Sequence, residues 1–238
     1  MTNELVHRNF NIEADKSNLI TSSPSFLPEE IDYFVNTEIE RFIKTRYSGL
    51  NIHKDGFQQS QKRSDDLRTV TKSVDIIPTI SMISKSDDLK SSKYTFEYPI
   101  DYFIGLGETA YISTPNALPS GVHRVDVMES TIENIDSSLQ NSLSPYRYHN
   151  GTARPLRVYS DGKINLYTDE NYIINKYTIT YLFLPAKLDW YSGDRNVELT
   201  IMPDHTWDEI IVNAVKLALL NTSDDRYQAY SQEAQIIE

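Results

Sequence analysis

The five histidines are the natural starting point for chemistry, because an imidazole acts as a metal ligand or as a general base. They lie far apart and form no H-x-x-x-H or H-E-x-x-H pattern: His7, His53, His123, His149 and His205. His205 has acidic neighbours in the run DHTWDE, residues 204–209, which has the composition of a metal-ligand cluster. The same run stands where a helix should begin, and the helix dipole favours acids there. Helix capping is therefore the preferred interpretation.

The remaining motifs predict no catalytic residue, no cofactor site and no metal site. Asp65-Asp66 and Asp224-Asp225 are carboxylate pairs, but adjacent residues on a helix point apart and do not form an acid/base pair. Gly105-Leu106-Gly107 lacks the third glycine of a dinucleotide-binding loop, and no strand–helix unit follows it. The sequence contains neither a G-x-S-x-G elbow nor a phosphate-binding P-loop.

Composition predicts a folded protein and narrows its class. The 238 residues are 39% hydrophobic and 11% aromatic, which is typical of a chain with a buried core. Without cysteine the chain has no disulfide and no thiolate metal site. It has no apolar run of 18 residues and no apolar leader at its start, so we expect neither a membrane span nor secretion.

Charge is distributed unevenly along the chain. A net charge of −11 argues against non-specific DNA wrapping, which needs clustered cations. Residues 41–72 contain eight Lys/Arg and three Asp/Glu, whereas residues 203–238 contain two Lys/Arg and seven Asp/Glu. These segments are either two solvated faces or complementary faces of neighbouring copies. The second interpretation gives a candidate subunit interface: Arg41, Lys44, Arg46, Lys62 and Arg63.

The strongest structural signal is a helix over residues 27–48. Its apolar residues recur at spacings of three and four: Ile31, Phe34, Val35, Ile39, Phe42 and Ile43. Pro28 suits the first helical position, and Gly49 suits the residue that ends a helix. We expect Phe34, Ile39 and Phe42 to pack against a helix near the other end of the chain.

The remaining elements predict an α+β fold: a helical bundle formed by N-terminal, middle and C-terminal helices, with β-rich insertions that are sandwich- or barrel-like. Residues 1–26 are predicted to be a polar arm, and residues 27–222 a single domain. The other predicted helices cover about residues 58–73, 131–143 and 207–221, and the β-rich segments cover 75–128 and 155–202.

The last segment, residues 223–238, is predicted to be a docking tail. It is too polar to bury a helix face in its own protomer, yet it contains apolar anchors: Tyr227, Tyr230, Ile236 and Ile237. An isolated helix of this length is marginal in water, so a partner would have to order it. The alternative is a frayed end without a role.

Three stretches of the sequence are similar to one protein family. The first is LPEEIDYFVNTEIERFIKTRYSG, residues 27–49, leading into GFQQSQKRSDDLRT at 56–69. The second is RPLRVYSDGKINLY at 154–167, followed by YTITYLFLPAKL at 177–188. The third is the ending ELTIMPDHTWDEIIVNAVKLALLNTSDDRYQAY at 198–230. Together they resemble the virion ring proteins of the head–tail connector in short-tailed phages, especially crAss-like phages.

This resemblance implies a structural, non-enzymatic virion protein without a cofactor. Such adaptor-like proteins form homo-oligomeric rings, commonly dodecamers, between the portal and the neighbouring tail ring proteins. They are made in the host cytoplasm and line the channel through which DNA leaves, without sequence-specific binding and without a membrane. The alternatives are another virion component, such as a tail or fibre adaptor, and an unrecognised soluble enzyme.

Overall fold

The computed structural model describes residues 1–16, 26–48, 61–86, 90–114, 121–149, 152–192 and 195–221. Two compact units divide the chain: residues 1–70 and 184–238 form a helical unit, and residues 71–183 form a β unit inserted between them. Among the described residues no helix combines the length and the apolar content that crossing a bilayer requires.

In the part of the helical unit that the structure describes, the α-helices are α1 (Asn3–Lys16), α2 (Pro28–Ser48), the short α3 (Gln61–Asp66) and α5 (Trp207–Asn221). The amide of Leu27 donates to the Glu30 carboxylate at 2.8 Å and so caps α2. Helices α2 and α5 pack together, as the apolar stripe predicts. The α2 side chains expected in this contact are all buried: Phe34, Ile39 and Phe42. Three side chains of α5 are buried as well: Ile211, Val215 and Leu219.

The chain begins with a helix where the sequence predicts an arm over residues 1–26. In α1, Val6, Phe10 and Ala14 are buried at spacings of four, and the helix packs on α2 and α5. The pattern is hard to recognise in the sequence because Asn3 and His7 complete the buried face. These two side chains are polar and weaken the apolar signal.

The described residues of the β unit form nine strands in two sheets. The four-stranded sheet is antiparallel with the order β1-β9-β4-β5, and the five-stranded sheet has the order β2-β3-β8-β7-β6, with β6 parallel to β7. The strands are β1 (Thr71–Ile76), β2 (Ile83–Ser86), β3 (Ser91–Glu97), β4 (Tyr102–Ser113), β5 (Val122–Asp126), β6 (Met128–Glu129), β7 (Leu156–Ser160), β8 (Lys163–Asp169) and β9 (Ile173–Phe183).

One apolar core serves both sheets of the β unit. Phe96 of β3 stacks on Tyr177 of β9 with ring centroids 5.0 Å apart. The hairpin from β7 to β8 turns at Asp161 and Gly162, whose φ angles of 54° and 67° fit a type I′ turn. Asp-Gly is a dipeptide that this turn type favours.

The predicted helical bundle with β-rich insertions is wrong, although the α+β class is correct. The middle helix, α4 (Ile135–Gln140), has six residues and packs inside the β unit against Tyr146, Leu156 and Val158. Strands from the two predicted β-rich segments alternate within the same sheets, with β9 between β1 and β4. The strands of the two sheets therefore bury apolar faces against each other in one core, and α4 covers part of β7 instead of joining a helical bundle.

Other boundaries also differ from the sequence prediction. Where a helix is predicted over residues 58–73, α3 ends at Asp66, a 3₁₀ turn follows at Arg68–Val70, and strand β1 begins at Thr71. Residues 58–60 lie outside the described part of the chain. Lys72 and Val74 thus belong to a strand, paired with Tyr181 and Ile179 of β9.

Candidate functional site

Two histidines of the helical unit have carboxylate partners. His7 Nε2 lies 2.8 Å from Asp32 Oδ1, and the other Asp32 oxygen accepts the Trp190 amide at 2.7 Å. The His7 ring packs on the Trp190 indole with centroids 4.3 Å apart. The imidazole thereby ties α1 to α2 and to the segment that precedes α5. The buried His7–Asp32 contact therefore has a structural role.

The DHTWDE run contributes to an ionic cluster rather than to a metal centre. His205 Nε2 lies 3.0 Å from Asp66 Oδ1. Asp208 and Glu209 stand in the first turn of α5, where the dipole favours them. No group of three His, Cys, Asp or Glu side chains among the described residues has a geometry that would hold a metal ion.

Arg46 lies at the centre of that ionic cluster. Its Nε is 3.1 Å from Asp66 Oδ2, and its Nη2 donates to Glu209 Oε2. The guanidinium also lies 4.6 Å from the centre of the Phe42 ring. Arg46 and Asp66 are both buried, so α2, α3 and α5 are joined by charges with little access to water. Of the five predicted interface residues, Arg46 is therefore engaged inside its own chain.

The other predicted interface residues lie at or near the surface of α2 and α3. Arg41 is exposed, 3.8 Å from the Glu38 carboxylate, and Lys44 bonds Glu40 one turn away at 2.6 Å. On α3, Lys62 is exposed and Arg63 is partly buried. The structure thus keeps these four cations on neighbouring elements of the same unit. The predicted tail anchors lie outside the described residues: Tyr227, Tyr230, Ile236 and Ile237.

Glu38 is a buried carboxyl group that the sequence did not single out. Its side chain is 5% exposed on α2, and Arg41 Nη1 lies 3.8 Å from its Oε2. Burial raises the pKa of Glu38 to about 7; the charges of Arg41 and Lys216 lower the pKa, and Glu209 raises it. An acidic residue in a helix usually faces water, so the helical pattern alone gives no signal for this burial.

The β unit has its own buried ionic network, centred on Glu108 of β4. The Glu108 carboxylate accepts from Arg157 Nη1 at 2.6 Å and from the Tyr159 hydroxyl at 2.8 Å. Arg157 also lies 2.8 Å from Glu129 and packs over the Tyr159 ring. Burial, followed by the Glu108 charge, raises the pKa of Tyr159 and of Tyr177. These phenols stay protonated, and the network joins strands of the two sheets.

The glycines of the G-x-G motif lie in strand β4. A Cβ at Gly105 would stand 2.7 Å from the Tyr102 hydroxyl oxygen, whereas one at Gly107 would meet nothing within 4 Å. Gly105 thus makes room for an aromatic ring, and the pairing of β4 with β9 shifts register between the two glycines. The motif is part of the sheet geometry and not a phosphate-binding loop.

Comparison with known proteins identifies no relative: the chain matches no protein-family profile and no curated protein. The functional argument therefore depends on the described geometry and on the sequence resemblance. The described polar clusters hold elements together through paired charges.

Proposed function

We propose that this protein is a structural ring subunit of a phage head–tail connector, which joins the portal to the tail and surrounds the DNA exit channel. The proposal rests on contacts between the first and third of the stretches that resemble connector ring proteins. The first supplies Arg46 and Asp66, and the third supplies His205 and Glu209. These four residues make one ionic cluster among α2, α3 and the start of α5.

Surface chemistry supports an assembly role. Large apolar side chains stand exposed on the β unit, among them Ile77, Ile80 and Ile100. A partner would cover such side chains wherever they form one contiguous patch. The net charge of −11 suits a channel that DNA passes through, because it repels phosphate instead of binding it. The proposed partners are further copies of the chain, commonly twelve, together with the portal and the adjoining tail rings.

Direct observation of the assembled protein tests this proposal. The purified chain should elute from size exclusion as a large oligomer, with a mass measured by light scattering that is a whole multiple of the protomer's 27.4 kDa. Negative-stain images should show rings around a central channel. A chain that stays a compact monomer at every concentration, with purified portal present as well as absent, would overturn the proposal.

A further inference from the structure

Each of the two sheets ends in strands that pair on one side only within the described part of the chain. In the five-stranded sheet these edge strands are β2, with four residues and an exposed Lys85, and β6, with two residues. Short edges and edge lysines are features that prevent pairing with another chain. In the four-stranded sheet the edge strands are β1 and β5, with six and five residues, and Lys72 of β1 is bound to Asp101 at 2.7 Å. The four-stranded sheet therefore has the longer and less protected edges.

The edge strands β1 and β5 run in opposite directions. Each strand of the four-stranded sheet is antiparallel to its neighbours, in the order β1-β9-β4-β5. Strand β1 of a second copy therefore fits beside β5 as an antiparallel neighbour, without that copy being turned over. The sheet would then continue from one copy into the next with the same pattern of strands.

The backbone groups that each edge offers follow from the pairing inside the sheet. Residues of an antiparallel strand turn their N–H and C=O groups alternately to one neighbour and to the other. The amide of Val127, directly after β5, donates to the Glu108 carbonyl of β4 at 3.4 Å. Alternate residues of β5 therefore turn these groups away from β4: Val122, Arg124 and Asp126. The same alternation, followed through the pairing of β4 with β9 and of β9 with β1, gives the outward residues of β1: Ser73 and Asp75.

One register of the two edges brings apolar side chains together on both faces of the sheet. When Val122 lies opposite Ile77, two exposed apolar side chains meet, which are 61% and 71% exposed in the single copy. The same register sets Val125 opposite Val74, and both of these partly buried side chains pack against the apolar core of the β unit. Pairing therefore removes apolar surface from water on the outer face and extends the core on the inner face.

Neighbouring registers match less well. A shift of one residue would set core-facing side chains opposite solvent-facing ones. A shift of two residues sets Val122 opposite Asp75 in one direction and Asp126 opposite Asp75 in the other. The first places an apolar group against a charge, and the second opposes like charges.

The favoured register also sets Arg124 opposite Asp75, which already has partners in its own sheet. Asp75 accepts from the Thr178 hydroxyl at 2.6 Å through Oδ1 and from Lys176 Nζ at 3.0 Å through Oδ2. A carboxylate has about four acceptor sites, so Arg124 would join this group without displacing a bond. The strand edges and the apolar pairs, and not this charge, therefore select a second copy as the partner.

We propose that β5 of one copy pairs antiparallel with β1 of the next copy, with Val122 opposite Ile77. The contact joins two different edges, so each bound copy still has one edge of each kind free. Repetition gives a closed ring where the rotation permits it. The inference deepens the proposed ring function and rests on it for the closure, whereas the strand pairing can be tested by itself.

Disulfide cross-linking tests the pairing, and the absence of cysteine from the chain removes any background. Single variants are mixed under mild oxidation in two in-register pairs, Ile77→Cys with Val122→Cys and Ser73→Cys with Asp126→Cys. One member of each pair carries a size tag, so that the mixed dimer has its own band on a non-reducing gel. The pairing places the Cα atoms of each pair about 5.5 Å apart, within the reach of a disulfide.

The matched controls use the same four variants with the partners exchanged: Ile77→Cys with Asp126→Cys, and Ser73→Cys with Val122→Cys. Each exchanged pair is four residues out of register, roughly 13 Å along the strand, which a disulfide cannot span. Pairing raises the effective concentration of one thiol at the other, so we expect the in-register pairs to link about tenfold faster or more.

Equal rates for in-register and exchanged pairs would overturn the strand pairing. Circular dichroism of each variant verifies the fold, which these four exposed positions should leave intact. Negative-stain images of the wild-type chain separate the two proposals. Rings without a preference for the in-register pairs refute the strand pairing alone, and preferred cross-links without rings refute the ring alone.

Discussion

Arg46 of α2 and Asp66 of α3 form a buried ion pair, with Nε and Oδ2 3.1 Å apart and side-chain exposures of 6% and 3%. Glu209 of α5 binds the same guanidinium, and His205 binds the second Asp66 oxygen. Through its contacts with Asp66 and Glu209, Arg46 therefore joins α2 to both α3 and α5. A buried charge depends on its partners, because water cannot replace them.

Replacing Arg46 by methionine should destabilise the helical unit strongly. The variant Arg46→Met removes the guanidinium that pairs with the buried Asp66 carboxylate, and breaking a buried pair on one side costs about 3–5 kcal/mol. The control Lys44→Met removes the exposed pair with Glu40, which is worth about 0–1 kcal/mol. Urea unfolding followed by tryptophan fluorescence measures both. Equal losses in the two variants would refute a special role for the Arg46 cluster.

The two glycines of β4 should respond differently to alanine. In Gly105→Ala the added methyl group meets the Tyr102 hydroxyl, and the resulting overpacking should cost about 1–3 kcal/mol. Gly107→Ala has open space and should stay within about 1 kcal/mol of wild type. Adding Tyr102→Phe to Gly105→Ala removes the clashing oxygen and should restore most of the loss. A double-mutant cycle from thermal unfolding of the four proteins measures this coupling.

Sequence periodicity predicts the elements with one clear apolar face. Helix α2 runs from Pro28 to Ser48 where residues 27–48 are predicted, because six apolar residues recur on one face. The β7–β8 turn is also a local feature, because a type I′ turn requires positive φ angles at Asp161 and Gly162 and few residue types other than Asp, Asn and Gly adopt them readily. Both features are formed by residues that are close together in the sequence, so the sequence alone is enough to predict them.

Long-range partners account for what the sequence misses. The helix predicted over residues 58–73 includes the first half of β1, whose structure is set by pairing with β9 more than 100 residues away. The cation-rich segment makes Arg46 a candidate interface residue, yet Asp66 of α3 and Glu209 of α5 pair with it inside the chain. Composition shows how many charged residues a segment has, but it does not show which of them form ion pairs in the folded chain.

Glu38 should make the stability of the protein depend on pH. Its pKa is about 7 in the folded protein against an ordinary value of 4.5, so folding favours the protonated form. The stability it contributes is fully present below about pH 4.5 and is lost as the pH rises to about 7. The loss amounts to at most about 3 kcal/mol, at 1.36 kcal/mol for each pKa unit.

The variant Glu38→Gln isolates this effect. It keeps a neutral side chain of similar shape, so it should equal wild type near pH 4.5 and exceed it in stability at pH 8. Glu40→Gln, half-exposed on the same helix, controls for the loss of one negative charge. Urea unfolding at both pH values measures the difference. A Glu38→Gln advantage that is the same at both pH values would rule out titration of Glu38 as its cause.

Charge reversal on α3 should weaken assembly without unfolding the protomer. Lys62 is exposed and belongs to the cation-rich segment, so Lys62→Glu, alone and with Arg63→Glu, should repel the acids of a neighbouring copy. Each exposed pair is worth only about 0–1 kcal/mol, but a closed ring repeats it at every interface. Sedimentation velocity measures the oligomer, and urea unfolding verifies the protomer.

Lys187→Glu provides the matched control for this prediction. Lys187 is an exposed cation of the helical unit outside the predicted set, and its reversal makes the same change in net charge. We expect this variant to assemble like wild type, and we expect added salt to narrow the gap between Lys62→Glu and wild type, because ions screen exposed charges. Equal weakening by Lys62→Glu and Lys187→Glu would assign the effect to net charge instead of to a contact at α3.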